Sequence, residues 1–116
     1  MNLKDQVLSI DQVQELQELG FDVHKHSSMY YHPDYGLEDG TIKLLVQDLL
    51  YIPTLTIGDI INILPTEIDE FILNINRKYV AYDSKTTNLF YAYRYRFIDS
   101  LFDCLVWCIK QKHIEL

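Results

Sequence analysis

The C-terminal segment carries the feature that most constrains how this chain folds, a wide apolar face at helical spacing. Apolar side chains recur there at intervals of three and four residues, in two adjacent columns. The columns are formed by Phe97, Ile98, Leu101, Phe102, Leu105, Val106, Cys108 and Ile109. This spacing predicts a helix over about 95–112, with charged residues on its other side. Because burial of each large side chain contributes about 2 kcal/mol, the helix must cover another layer of structure.

The layer beneath that helix is predicted to be an antiparallel sheet. Residues 71–76 have an apolar residue at every second position, and residues 79–82 form another β-rich run after a short basic break, which predicts a hairpin. The polar stretch 83–88 predicts a further turn that leads into a strand at 89–93. We therefore expect an α+β fold in which an antiparallel meander of three to four strands packs against the C-terminal helix, with two further short helices.

The first short helix has recognisable signals at both ends. Ser9 and Gln12 have the spacing of a capping box, and apolar residues then recur at helical spacing. Gly20 lies where the chain must become left-handed, and Phe21 can fold back on the last turn. These signals predict a helix over about 9–19.

The second short helix is predicted at about 56–64, because Thr56 is a good N-cap with Asp59 three positions later. Two segments in the first half of the chain are less constrained. Residues 22–31 are compatible with a strand. In residues 41–52 the apolar side chains fit both the alternation of a strand and the spacing of a helix. Their periodicity therefore does not distinguish a strand from a helix.

The composition indicates one globular core without a membrane segment. The chain has 116 residues, 48% of them hydrophobic and 23% charged, and we expect a single domain over residues 1–116. No apolar run approaches the roughly 18 residues of a spanning helix, and charged residues near the start argue against a signal peptide. Cys104 and Cys108 lie four apart in one apolar stretch, which favours buried, reduced thiols and a cytoplasmic location.

The charge is unevenly distributed along the chain. Its net value of −7 argues against a general nucleic-acid coat, because phosphate backbones favour excess Lys and Arg. Residues 1–70 hold thirteen acidic residues against three basic ones, whereas residues 71–98 hold Asp83 against five basic ones. The basic stretch is also rich in tyrosine.

That basic, tyrosine-rich stretch is the first candidate surface for a ligand or partner. Its residues are Arg77, Lys78, Tyr91, Tyr93, Arg94, Tyr95 and Arg96. On an extended strand the three tyrosines would line one face and the two later arginines the other. Such a surface can bind a protein or peptide, or it can stack bases and hold phosphate. Alternatively, the tyrosines only fill a half-buried sheet and the arginines pair with the acidic part of the chain.

The second candidate surface is acidic. Glu15, Glu18 and Asp22 lie on or just after the first predicted helix and could attract a basic partner, such as the DNA-binding face of a host protein. A solvated helix surface explains the same residues.

The sequence gives little support to metal binding or catalysis. His24, His26 and His32 with Asp34 have metal-ligand side chains, and two histidines on a strand would point the same way, but solvated histidines explain them equally well. No Gly-rich phosphate loop, HExxH or GxSxG motif is present. We expect no cofactor, no bound metal and no enzymatic activity.

The order of motifs resembles that of a group of small uncharacterised proteins from tailed phages and mobile elements of gut bacteria. The resemblance is carried by LKDQVLSIDQVQELQELGF, IPTLTIGDIINILP and FIDSLFDCLVWCIKQKHIEL. It implies a phage or mobile-element origin and carries over no catalytic residue. We expect a non-catalytic binding protein that acts on a host or phage protein. The alternative is nucleotide or nucleic-acid binding through the basic, tyrosine-rich sheet, and the helix face also allows a homodimer.

Overall fold

Two antiparallel sheets and four helices make up the described part of the chain. The structure, a computed structural model, describes residues 5–32, 36–39 and 52–116, with the backbone alone for residues 32 and 36–39. The helices are α1 (Ile10–Glu18), α2 (Val23–His26), α3 (Ile57–Ile63) and α4 (Phe97–Lys110). The strands are β1 (Met29–His32), β2 (Gly36–Asp39), β3 (Ile52–Thr54), β4 (Glu67–Ile68), β5 (Phe71–Asn76), β6 (Tyr79–Asp83) and β7 (Asn88–Tyr93).

The larger sheet is the predicted meander. Its four strands follow the order β4-β5-β6-β7, and all neighbours are antiparallel. In its register Ile75 lies opposite Val80, and Val80 lies opposite Ala92. Residues that are directly opposite share a face, so these three side chains point to the same side of the sheet. The predicted hairpin and third strand are confirmed, and the two-residue strand β4 is the fourth.

Helix α4 covers one face of this sheet. Ile98, Leu101 and Leu105 of α4 are fully buried and belong to the same core cluster as Val80 and Tyr82 of β6. The predicted apolar face of the C-terminal helix is thus confirmed, although the helix begins at Phe97 instead of 95. The α+β fold with a meander under a C-terminal helix is therefore correct.

A buried serine joins the sheet to this helix. The Oγ of Ser100 on α4 donates to the carbonyl of Lys78, 2.6 Å away, and accepts from the amide of Arg94 at 2.8 Å. Lys78 immediately precedes β6 and Arg94 follows β7, so these two backbone groups lie where the two strands separate. A serine hydroxyl can both donate and accept, which allows it to satisfy both groups.

The two predicted helix starts are confirmed. Ser9 and Gln12 form a reciprocal capping box at α1, and Thr56 and Asp59 form another at α3. Gly20 ends α1 with φ of 88°. The amide of the next residue bonds to Leu16, as in a Schellman ending.

The smaller sheet was not predicted. It has the order β2-β1-β3 with antiparallel pairing. Thr54 of β3 donates its hydroxyl to the carbonyl of Leu8 at 2.8 Å, and Leu8 in turn donates its amide to the carbonyl of Leu55. These bonds attach the smaller sheet to the segment that leads into α1.

The predicted strand at residues 22–31 is wrong over its first half. Asp22 accepts a hydrogen bond from the amide of Lys25 and so caps the short helix α2, while Val23 is fully buried. Only the last residues of the prediction belong to β1. Most of the ambiguous segment 41–52 lies outside the described residues, and its last residue begins β3.

None of the helices in the described ranges is long and apolar enough to cross a bilayer.

Candidate functional site

The larger sheet has one covered face and one open face. Helix α4 lies over the first, and no described helix covers the second. We call the open side the tyrosine face and define it by Ile72, Asn74, Tyr79, Asp83, Leu89, Tyr91 and Tyr93. Strand alternation produces it, because every second residue of β5, β6 and β7 points away from α4.

Large apolar side chains are exposed on the tyrosine face. Ile72 and Tyr93 are each 61% exposed, and Tyr91 is 53% exposed. Ala81 lies on the same face, opposite Tyr91, but its small side chain is fully buried between its larger neighbours. The face is therefore an apolar and aromatic platform of the type that occurs at interaction sites.

A hydrogen-bonded cluster holds part of the platform in place. The hydroxyl of Tyr79 donates to Oδ2 of Asp83 at 2.7 Å, and the side-chain amide of Asn74 donates to the same oxygen at 3.1 Å. The bond to Asp83 is the main cause of a raised pKa of Tyr79. The rings of Tyr79 and Tyr91 lie 4.9 Å apart between centroids, at 60°. These contacts orient Tyr79 and limit the movement of its neighbour.

Arg94 and Arg96 do not lie on the sheet, which corrects the sequence-based interpretation. Strand β7 ends at Tyr93, so the alternation that would have placed them opposite the tyrosines stops before them. Arg94 contacts Asp103 of α4 at 2.8 Å. Arg96 binds Asp99 at 3.0 Å.

Arg96 also links α4 to the start of the described chain. Its guanidinium lies 3.4 Å from Asp5, and its bonds to Asp99 are the main cause of its raised pKa. Burial opposes ionisation of Asp99, but hydrogen bonds from Arg96 and Gln12 outweigh it and lower the pKa of that carboxyl. Two of the four cations predicted to bind a ligand, Arg94 and Arg96, are thus engaged in ion pairs within the fold.

Two basic residues remain at the β5–β6 turn. Arg77 has φ of 59° and forms no ion pair among the described residues, and Lys78 places its Nζ 4.3 Å from the ring centroid of Tyr95. Tyr95 is 85% exposed and follows β7 instead of extending it. A groove of about 440 Å³ between this turn and Tyr93 adjoins the tyrosine face. Arg77, Lys78 and Tyr95 therefore lie together at one end of the face, whereas the sequence placed Tyr95 on the strand beside Tyr91 and Tyr93.

All three residues of the predicted acidic surface are exposed. Glu15 and Glu18 lie on α1, and Asp22 is the N-cap of α2.

The histidines are not arranged as predicted. His24 lies on α2, with its Nδ1 3.0 Å from the hydroxyl of Tyr30, and His26 stacks on Phe21 with 5.2 Å between ring centroids. The side chain of His32 and all of Asp34 lie outside the described residues. Within the described ranges, no group of three or more metal-ligating side chains is present.

The cysteines are buried beneath the covered face. Cys104 and Cys108 are free thiols, and Cys108 lies 3.8 Å from the hydroxyl of Tyr82. The hydrogen bond to Cys108 and burial raise the pKa of Cys104, which disfavours a reactive thiolate there. Tyr82 also donates to the carbonyl of Pro65 at 2.7 Å, so this cluster is part of the core.

Sequence reasoning missed several members of the tyrosine face. Ile72, Tyr79 and Leu89 belong to it but were treated only as strand residues. Their positions could have been found from the hairpin register, because a two-residue turn at Arg77 and Lys78 fixes which residues of β5 and β6 share a face. Comparison with known protein families, curated proteins and solved structures finds no match to this chain.

Proposed function

We propose that this chain is a non-catalytic binding protein that engages a protein partner through the tyrosine face. The observation that carries the proposal is the exposure of Ile72, Tyr91 and Tyr93 together on an ordered sheet. Exposed apolar area of this kind is costly unless a partner covers it, and tyrosine is among the residues enriched at the energetic centres of interfaces.

The chemistry of the tyrosine face suits a protein better than a small molecule. Its central side chains are aromatic or apolar. Its one carboxylate, on Asp83, accepts from Tyr79 and Asn74 through Oδ2, while Oδ1 is buried. A rigid aromatic centre with hydrogen-bonding groups beside it is the usual composition of a protein interface.

The proposal includes the phage or mobile-element origin implied by the motifs and the cytoplasmic location expected from Cys104 and Cys108. The resemblance to phage and mobile-element proteins supports a partner encoded by the host or the element. The absence of a membrane-spanning helix among the described residues is compatible with a cytoplasmic partner.

Affinity capture with matched variants tests this proposal. The wild-type chain, an Ile72→Ser/Tyr93→Ser variant and an Ile10→Ser/Ile61→Ser control are each used to capture proteins from host lysate. Ile10 and Ile61 are also exposed, at 39% and 37%, but lie on helices away from the tyrosine face.

We expect a partner that the wild type and the control retain and the face variant loses. Capture that depends instead on the acidic surface, tested with Glu15→Lys/Glu18→Lys, contradicts the use of the tyrosine face. Capture of nothing across several hosts contradicts the protein-binding function itself.

The alternative function is binding of single-stranded nucleic acid. It is favoured by the grouping of Arg77, Lys78 and Tyr95 beside the exposed tyrosines, because bases stack on aromatic rings while cations contact phosphate. The ion pairs of Arg94 and Arg96 weaken it, since they neutralise half of the predicted cations.

A labelled single-stranded oligonucleotide separates the two functions. If nucleic acid is the ligand, affinity falls as salt rises, and Arg77→Gln/Lys78→Gln weakens binding far more than a Lys110→Gln control on α4. Equal affinity of the two variants, or no dependence on salt, removes this alternative.

A further inference from the structure

Strand β7 forms one end of the larger sheet and pairs on one side only. Its partner is β6, and no described residue pairs with its other side. At the opposite end of the sheet, β4 has only two residues, whereas β7 has six. A long unpaired edge can template another strand, so most proteins protect such edges.

The register of the two hairpins indicates which backbone groups are unpaired. Asn76 and Tyr79 close the two-residue turn, so the Tyr79 amide and carbonyl bond to β5, and by alternation those of Val80 point to β7. The partner of Val80 is Ala92, so the amides of Ala92 and of Phe90 point toward β6. By the same alternation, the amides and carbonyls of Tyr91 and Tyr93 point to the open edge.

Two of the usual protective devices, charge and proline, are absent from β7, whose sequence is NLFYAY. The one bulge in its pairing with β6 lies near its start, opposite Asp83, and leaves the edge at Tyr91 and Tyr93 regular. Beside the edge, Phe90 and Trp107 are only partly buried, with 4.9 Å between their ring centroids. An added strand would cover these two rings on the helix side of the sheet.

We propose that an extended segment of the partner protein adds to β7 as a fifth strand of the sheet. The inference rests on the proposed function and specifies how the partner binds. Main-chain bonds to Tyr91 and Tyr93 provide the pairing, and alternate side chains of the segment lie against the Phe90 and Trp107 rings. The segment is therefore extended, free of proline, and apolar at every second position.

Charge specifies the ends of the segment. Lys85 lies in the turn before β7, and Arg94 follows the strand with 54% of its side chain exposed despite its ion pair. Acidic residues on both flanks of the segment complement these ends. A second copy of this chain fits less well, because antiparallel pairing of two β7 strands brings Lys85 of each copy toward Arg94 of the other.

A display library of random nine-residue peptides tests the inference on the full chain. We expect enriched peptides with apolar residues at alternate positions and Asp or Glu at the flanks. Tyr91→Pro removes the outward amide and should weaken the enriched peptides at least about tenfold, as expected for loss of one well-formed hydrogen bond. Tyr91→Thr removes the ring but keeps the amide, and should retain more of the affinity.

A modified peptide gives a readout that does not depend on the folding of a variant. An enriched peptide can be methylated on every second backbone nitrogen in two ways, on the odd or on the even positions. We expect one of these two peptides to lose its binding to the wild type and the other to keep it, because only alternate amides of the segment face β7. Trp107 is the single tryptophan of the chain, so its fluorescence reports directly on covering of the edge.

The outcomes separate this inference from the proposed function. Strand addition is overturned if the enriched peptides bind Tyr91→Pro as tightly as the wild type. It is also overturned if both methylated peptides, odd and even, keep their binding. Failure to enrich any peptide also overturns it. In each case, partner capture that still depends on Ile72 and Tyr93 leaves the proposed function standing.

Discussion

Ser100 is the residue on which the junction between sheet and helix depends most. Its hydroxyl is buried and bonds two backbone groups that no other described residue satisfies in its place. We expect Ser100→Ala to lower the free energy of unfolding by about 1–3 kcal/mol, because both groups lose their partner away from water. Urea denaturation measures the change. Thr86→Ala, in an exposed turn, is the control and should change stability by less than about 0.5 kcal/mol. Equal stability of the two variants contradicts the bridging role.

Asp99 makes the stability of the fold depend on pH in the acidic range. Its pKa is lowered from an ordinary value of 3.8, so its stabilising contribution is present above that value and is lost as the pH falls through the lower folded value. Its side chain is 17% exposed, and its carboxylate contacts Arg96 at 3.0 Å. We expect Asp99→Asn to destabilise the protein near neutral pH and to reduce the loss of stability below about pH 4. Denaturation at a series of pH values tests this, and a variant with an unchanged pH profile contradicts it.

Contacts between distant residues explain which candidate side chains the sequence misplaced. The tyrosines at 91 and 93 were predicted correctly as neighbours on one face because strand alternation is local. The ion pair of Arg96 with Asp99 has a local spacing of three residues. The pairs of Arg94 with Asp103 and of Arg96 with Asp5 were not predictable from spacing, since they depend on how α4 returns along the sheet and where Asp5 meets it.

Strand β7 is the element on which both proposals depend. Its two sides differ, because the amide of Ala92 points toward β6 and that of Tyr91 toward the open edge. We expect Ala92→Pro to unfold the protein or to cost about 3 kcal/mol or more, whereas Tyr91→Pro leaves it folded, because only the first removes a ladder bond. Circular dichroism and urea denaturation measure the difference. The reverse order of stability contradicts the assigned direction of the amides.

Elements with local signals were predictable, and those made by distant pairing were not. The capping boxes at Ser9 and Thr56 and the alternation in β5 gave α1, α3 and the hairpin close to their observed bounds. The smaller sheet joins β1 to β3 across the nineteen residues 33–51, and short strands of this kind have no periodicity of their own.

At the scale of the whole molecule, the charge asymmetry of the sequence is partly neutralised inside the fold. Asp5 from the acidic part of the chain binds Arg96 from the basic part, and Asp99 and Asp103 engage the same basic segment. What remains exposed is the uncharged centre of the tyrosine face, with Arg77 and Lys78 at one end. The layered fold could be predicted because a wide helix face needs a sheet beneath it. The open edge at β7 follows from the same meander, because strand order there is sequence order and the last strand has a neighbour on one side only.

Amide hydrogen exchange, followed residue by residue in the free and the partner-bound protein, tests the central claim most directly. In the free protein, we predict fast exchange at Tyr91 and Tyr93 and slow exchange at Phe90 and Ala92. In the complex, the amides of Tyr91 and Tyr93 should become protected while those of α1 stay unchanged. Protection of both edge amides already in the free protein, or no change at β7 on binding, would contradict the account.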